Sequence, residues 1–408
     1  MIDSHHRFIF ICKGFMDPIG GAQYATSKWI QSEVEYIQRN YNAEIILISF
    51  EPHRKISKLK LGYLISNKIK FKIILNSNLP LSYLSDRHNE IKLAKLIKNV
   101  NFRNGSTNYV FLHCYNFFYP RLSLPKNTKL IMTFHDAIFE KYDSNSNNLP
   151  LFQQLIVKLW DILAFSNKKK LIQYHNFNDK FVTFHALSLQ IKRDLIKMGI
   201  KPNNILLASN GLDVSEIEDR RKRFPVTHNL ANLQLLSIGA IYPRKGYHLI
   251  LKSLSELYIK NKLPTNFKYC IIGSKVPILT FFYEKYLKRL VNEFQLQKNV
   301  NIIVDAKYQT ILSMLQNSNV FLSPSISEAS NLSLIDAISN GLIVISTAAG
   351  DVFARSKKNS KIYIIKEMDK DLDMILSSLM KSKRITIANF SVSSWQDQTK
   401  TLFMHIGI

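Results

Sequence analysis

Short apolar, β-rich runs alternate with longer amphipathic stretches along almost the whole chain, and this alternation restricts the fold more than any other feature. In the first half, Phe8–Cys12, Ile45–Phe50, Tyr109–His113, Leu130–Phe134 and Phe181–Ala186 read as buried strands, with helical patterns at Ala22–Tyr41 and Leu187–Met198. In the second half the strand candidates are Gln234–Ile238, Tyr269–Ile272, Val300–Val304, Val320–Leu322, Ile343–Ser346 and Ile362–Ile365. Helical patterns at Tyr247–Ile259, Phe281–Phe294, Thr310–Gln316 and Leu332–Ser339 separate them. Strands spaced by helices of about 10–15 residues imply parallel sheets with βαβ crossovers. Two such series in 408 residues predict an α/β chain of two doubly wound, Rossmann-like domains. The charge-dense stretch Glu216–Asn232 is the predicted linker. Ligands of such sheets bind at the carboxyl ends of the strands, so the domains are expected to face a cleft there.

Composition removes several classes. At 46% hydrophobic and 21% charged the chain is globular, and no apolar run of about 18 residues predicts a bilayer span. The opening Phe8–Cys12 is too short for a signal sequence. Cys12, Cys114 and Cys270 are too scattered for a disulfide framework or a metal knuckle, which fits a cytoplasmic setting. The net charge of +25 attracts polyphosphate, anionic lipid or nucleic acid. Lysines interleave with apolar residues at Lys55–Lys72 and Lys92–Lys98, a pattern that suits an anionic membrane surface or an ordinary solvated face. No helix-turn-helix, RNA-binding or zinc motif supports a nucleic-acid partner.

Four segments carry candidate chemistry, each after a strand. In Phe321–Gly341 a polar loop leads into a helix near Asn331 or Leu332, with Glu328 before it and Asp336 inside it. A helix start favours phosphate, so this order suits the sugar, diphosphate and ribose of a nucleotide sugar; a capped helix with an acidic first turn is the plain alternative. Gly239–Gly246 is a turn with adjacent cations Arg244 and Lys245, placed to neutralise a leaving diphosphate. Gly20 and Gly21 precede a helix, where backbone amides can approach a phosphate. His113 and His135 end neighbouring strands and could face a cleft or be structural.

Together these segments resemble family 4 of the retaining GT-B glycosyltransferases, also called glycosyl transferases group 1. The family's two acids eight residues apart appear as Glu328 and Asp336, its G-R-x-x-x-x-K-G signature as Gly239 to Lys245-Gly246, and its early glycine pair as Gly20-Gly21. Asn210-Gly211-Leu212-Asp213 matches the hinge motif, and Phe390–Trp395 the motif that opens the terminal helix.

The resemblance implies a GT-B fold. Residues 1–215 would form an acceptor-binding domain joined by a terminal helix at 391–408, and 216–390 a nucleotide-sugar-binding domain. Glu328, Lys245 and His135 would be catalytic. Gly20, Gly21, Arg244, Asn331, Leu332 and Asp336 would bind the donor, with the base held by backbone near Ala306 and Lys307. No metal or cofactor is expected.

The implied activity is transfer of a hexosyl-type sugar from a nucleoside diphosphate, UDP favoured, to a glycan or polyprenyl-linked acceptor. The implied setting is capsule or lipopolysaccharide assembly at the inner face of the cytoplasmic membrane. Two departures stand out: Ala240 replaces the family's arginine, with Arg244 as candidate substitute, and Asp336 replaces a glutamate. Ala240 also keeps open a non-catalytic GT-B subunit that supports a partner enzyme.

Overall fold

A computed structural model describes residues 6–16, 18, 21–51, 58–75, 91–93, 95–97, 100, 107–114, 120, 122–138, 149–178, 181–275 and 279–407. The chain falls into two compact units, Met1–Phe139 with Asp161–Asn210 and Trp395–Ile408, and Glu140–Trp160 with Gly211–Ser394. The divisions therefore come after Asn210 and Ser394 rather than after residues 215 and 390, and Glu140–Trp160 goes with the second unit. Among the described residues no helix is long and apolar enough to cross a membrane.

The first unit is built on a seven-stranded sheet: β1 (His6–Lys13), β2 (Ala43–Glu51), β3 (Lys70–Leu75), β4 (Asn108–Cys114), β5 (Thr128–Phe134), β6 (Val182–Ala186) and β7 (Ile205–Leu207), in the order β3-β2-β1-β4-β5-β6-β7. All its pairings are parallel. Burial on both faces explains why β1 and β4 read as unbroken apolar runs, with Phe8–Ile11 and Val110–Leu112 fully buried. Helix α1 (Gly21–Asn40) buries Trp29, Ile30, Val34 and Ile37, spaced as one helical stripe. The terminal helix, Trp395–Ile406, packs on α1: Trp395 meets Trp29 edge-on at 5.7 Å, and Thr399 donates to Ser32 at 2.8 Å. Trp29 in turn donates to Asn210 Oδ1 at 3.0 Å. The tryptophan and asparagine motifs thus meet at one place in the first unit.

The second unit carries a six-stranded parallel sheet. Its strands β9 (Gln234–Ile238), β10 (Lys268–Gly273), β11 (Val300–Val304), β12 (Val320–Ser323), β13 (Ile343–Thr347) and β14 (Ile362–Ile365) run in the order β11-β10-β9-β12-β13-β14. Residues alternate between two cores. Leu235, Ile271, Leu322 and Ile345 enter one, with side chains of the helices Tyr247–Ile259 and Leu279–Glu293. Leu236, Ile272, Phe321 and Val344 enter the other, with Leu334 and Ile335 of the helix Leu332–Ser339. Each fully buried Leu or Ile contributes about 1.5–3 kcal/mol.

Glu216–Asn232 is not a linker. It contributes the helix Val214–Arg221 and strand β8 (Val226–Asn229), which pairs antiparallel with β15 (Arg384–Ile387) inside the second unit. In both sheets the connectivity reverses beside the first strand, at β1/β4 and at β9/β12. Such a switch point opens a crevice at the carboxyl ends of the strands.

Candidate active site

In the second unit the two motif loops leave the two strands that flank the switch point. After β9 the chain turns through a 3-10 segment, Pro243–Lys245, and Gly246 with φ +69°, before the helix Tyr247–Ile259. Gly246 is required twice over. Its backbone is left-handed, and a Cβ there would lie 2.1 Å from the carbonyl oxygen of Pro324 in the loop after β12. Ile326 N–H donates to Arg244 O at 2.8 Å, tying the same two loops together.

This apposition brings Lys245 onto Glu328. The Lys245 ammonium donates to Glu328 Oε1, and Ser325 Oγ donates to the same oxygen at 2.7 Å. The pair is nearly nine-tenths buried, with side-chain exposures of 12% and 9%. Burial by itself raises the Glu328 carboxyl, but the Lys245 and Arg244 charges and the hydrogen bonds from Lys245 and Ser325 outweigh it and hold the group below the usual glutamate range. Arg244 also stands over the Tyr242 ring, 5.1 Å from its centre. Ala240 leaves its own position without a cation, while Arg244 and Lys245 both act on Glu328.

Asn331 caps the helix Leu332–Ser339: its side chain accepts from Leu334 N–H at 3.4 Å and donates to Ser323 Oγ at 3.1 Å. Leu332 opens that helix, so its first-turn amides stand at the positive end of the helix dipole. Asp336, one turn further, is held by Arg220 at 2.8 Å. Arg220 also donates to Ser339 Oγ and lies 3.8 Å from Glu216. Sequence reasoning missed Arg220 because its charged neighbourhood read as a linker; only the helical phase of Ile217 and Arg220 hinted at a buried face.

The first unit holds the remaining residues. Gly21 opens α1, and a Cβ on it would meet no atom within 4 Å. Gly20 lies outside the described residues. His135 follows β5 and its Nε2 lies 3.1 Å from His113 Nδ1; His113 Nε2 lies 3.5 Å from Glu33 Oε2. Burial, then the charges of His113 and His185, push the His135 imidazole well below the usual histidine range, so it is neutral at pH 7. The structure therefore unites Lys245, Arg244 and Glu328 in the second unit, adds Asn331 and Leu332 in the loop and helix that follow, and groups His135 with His113 and Glu33 in the first.

Residues 218–384 match the family described as glycosyl transferases group 1. This segment is a group 1 glycosyl transferase domain. With one doubly wound sheet inside this segment and another in the first unit, the fold is GT-B. The chain is 23% identical over 181 residues to a colanic acid biosynthesis glycosyltransferase, WcaL of Escherichia coli (strain K12), a stretch covering 43% of this chain and 41% of WcaL. The matched stretch thus spans about two fifths of that relative's length.

Among solved structures, HepE of Anabaena, crystallised with UDP-glucose, superposes with a TM-score of 0.58 at 13% identity, covering 98% of this chain and 94% of HepE. WaaG, a glycosyltransferase of lipopolysaccharide biosynthesis, gives 0.59 at 13% identity, covering 98% and 95%. At these identities the likeness is one of fold. The group 1 domain contains every donor-binding candidate except the two glycines.

Proposed function

We propose that this chain is a retaining, metal-independent hexosyltransferase that moves a sugar from a nucleoside diphosphate, UDP favoured, to a glycan or polyprenyl-linked acceptor in surface-polysaccharide assembly. The reading places the protein at the inner face of the cytoplasmic membrane, with the first unit taking the acceptor and the group 1 domain the donor. The observation that carries it is the buried Lys245–Glu328 pair at the β9/β12 switch point, in the loop that leads to a helix N-terminus. The UDP-glucose bound to HepE supports the choice of donor.

The roles follow from charge and geometry. A diphosphate against the first-turn amides of Leu332 and Ser333 meets the helix dipole. Lys245 and Arg244 supply the positive charge that a departing diphosphate needs. Glu328 is ionised and accepts hydrogen bonds from the sugar hydroxyls, while Asp336, steadied by Arg220, contacts the ribose. Neutral His135 can accept or donate one hydrogen bond to the sugar without adding charge near the reacting carbon. The acceptor oxygen attacks that carbon on the face from which the diphosphate leaves. The carbon–oxygen bond to phosphate breaks, and the leaving phosphate oxygen takes the acceptor's proton.

A thermal-shift screen with UDP, GDP, ADP and their sugars identifies the donor, because a ligand at 100 times its Kd adds about 2.7 kcal/mol. Glu328→Ala and Lys245→Ala are each expected to lower donor turnover at least ~100-fold; unchanged rates in both would sink the assignment. Ala240 favours one other reading, a donor-binding subunit without turnover, and release of UDP from UDP-sugar by the purified protein excludes it.

A further inference from the structure

One core of the second unit buries three tyrosines, Tyr247, Tyr269 and Tyr283. Two have partners for their hydroxyls: Tyr269 Oη lies 2.9 Å from Ser237 Oγ, and Tyr283 Oη lies 2.8 Å from His248 Nδ1. Tyr247 differs. Its side chain is 2% exposed, and its buried hydroxyl has no hydrogen-bond partner among the described residues. A phenylalanine would fill the same space without stranding a polar group, so the hydroxyl is a cost to the fold. Burial, and then the neighbouring Tyr269, Tyr283 and Glu328, raise it well above the usual tyrosine range. It therefore keeps its hydrogen and can both donate and accept.

Gly239, which follows β9, shows where that hydroxyl points. A Cβ on Gly239 would lie 2.9 Å from Tyr247 Oη, 3.0 Å from Lys245 Cε and 3.1 Å from Lys245 Nζ. The hydroxyl and the ammonium thus converge on one point beside the backbone, and a side chain at Gly239 would push into both. Lys245 reaches from there to Glu328. We propose that Tyr247 is a positioning residue for Lys245: as the donor's diphosphate draws the ammonium away from Glu328, Tyr247 Oη accepts one of its hydrogens and holds the charge against the phosphate oxygens. An ammonium has three hydrogens to place, and a lysine tethered at a second hydrogen keeps its orientation as the leaving charge develops. With no guanidinium at Ala240, more of that charge falls to Lys245. The inference rests on the donor reading above and deepens it within the group 1 domain.

The test is UDP binding to the full chain by calorimetry, with GDP and ADP used where UDP does not bind, beside melting curves of the protein alone. Tyr247→Phe is expected to weaken UDP binding about 10-fold, as for a lost hydrogen bond to a charged group. Its melting temperature should stay at or above that of the wild type, because the stranded hydroxyl is gone. Tyr269→Phe removes a partnered hydroxyl from the same core and should do the reverse, melting lower with UDP affinity unchanged. A merely structural hydroxyl at Tyr247 would follow the Tyr269 pattern. Because Tyr247 acts through the lysine, Lys245→Met with Tyr247→Phe should bind UDP no more weakly than Lys245→Met alone.

Equal UDP affinity in Tyr247→Phe and wild type overturns the inference and leaves the donor reading standing. A double variant that binds about 10-fold more weakly than Lys245→Met also overturns it, since the hydroxyl would then act on the nucleotide without the lysine. A wild type that binds none of the three nucleotides defeats the donor reading, and the inference with it. Binding that Tyr247→Phe weakens, without turnover of UDP-sugar by the wild type, supports the inference and defeats only the transferase reading.

Discussion

Replacing Lys245 with methionine keeps most of the side chain's length and removes its charge, leaving the Glu328 carboxylate in a nearly dry site. Removing one partner of a buried ion pair costs about 3–5 kcal/mol. Ser325 Oγ still donates to Glu328 at 2.7 Å and Arg244 still acts on it, so the low end, about 3 kcal/mol, is expected at pH 8. For a unit of this size that is a fall in Tm of roughly 6–12 °C.

The deficit should depend on pH with a defined sign. In the wild type the Glu328 carboxyl is held low, so the pair's contribution is present above the unfolded glutamate value, about 4.3, and lost as pH falls through the folded value. In the variant, burial without the lysine raises the carboxyl, so the folded state takes up a proton and part of the loss is recovered as pH falls. The gap between variant and wild type should therefore be widest near pH 8 and shrink toward pH 5. Adding Glu328→Gln removes the stranded charge, and the double variant should return to within about 1 kcal/mol of wild type. It should nevertheless transfer no sugar, because both functional groups are gone.

Urea unfolding at pH 5 and 8, beside donor turnover, measures all of this. A single variant within about 1 kcal/mol of wild type at pH 8, or a double variant no more stable than the single, would refute the reasoning.

Acid should destabilise the first unit through its buried imidazoles. The His185 imidazole is pushed down to about 3, mainly by burial, and His135 well below 6.5. Both bind a proton when unfolded, so below about pH 6.5 stability should fall by up to ~1.4 kcal/mol per pH unit for each, and His185→Gln should remove one share of that slope in unfolding titrations. Arg220→Met should cost only about 1 kcal/mol, Asp336 being 34% exposed, while raising KM for donor several-fold with little change in kcat; an unchanged KM would detach Asp336 from the ribose. Gly246→Ala, with its Cβ 2.1 Å from Pro324 O at φ +69°, should destabilise by more than ~1 kcal/mol and depress turnover with it; a wild-type melting curve would count against the close loop apposition.

The most legible strands lie inside the sheet. Gln234–Ile238, Val320–Leu322 and Ile343–Ser346 fall on β9, β12 and β13 because an interior parallel strand has no solvent face to interrupt its apolar run. The partly exposed edge strands β11 and β14 were legible because their sequences, Val300–Val304 and Ile362–Ile365, stay almost wholly apolar. Strand β3 escaped notice because lysines break its sequence, Lys70-Phe-Lys, and β8 because it sits in a charged stretch and pairs with β15 some 150 residues away. The helix Leu151–Asn178 escaped because amphipathic reasoning assigns apolar residues to the core, and Leu151, Leu155 and Leu159 are exposed.

By itself the sequence determined the two doubly wound sheets, the group 1 signatures and the short list of residues that matter, since each depends on local periodicity or local spacing. It left the partners of those residues open. Lys245 meets Glu328 across 83 positions, and Arg220 meets Asp336 across 116. Those meetings depend on β9 lying next to β12 and on a supposed linker folding as a helix against Leu332–Ser339. Strand order is a property of the whole sheet, set by which apolar faces can be buried together, so only the tertiary structure could decide which cation each carboxylate would face.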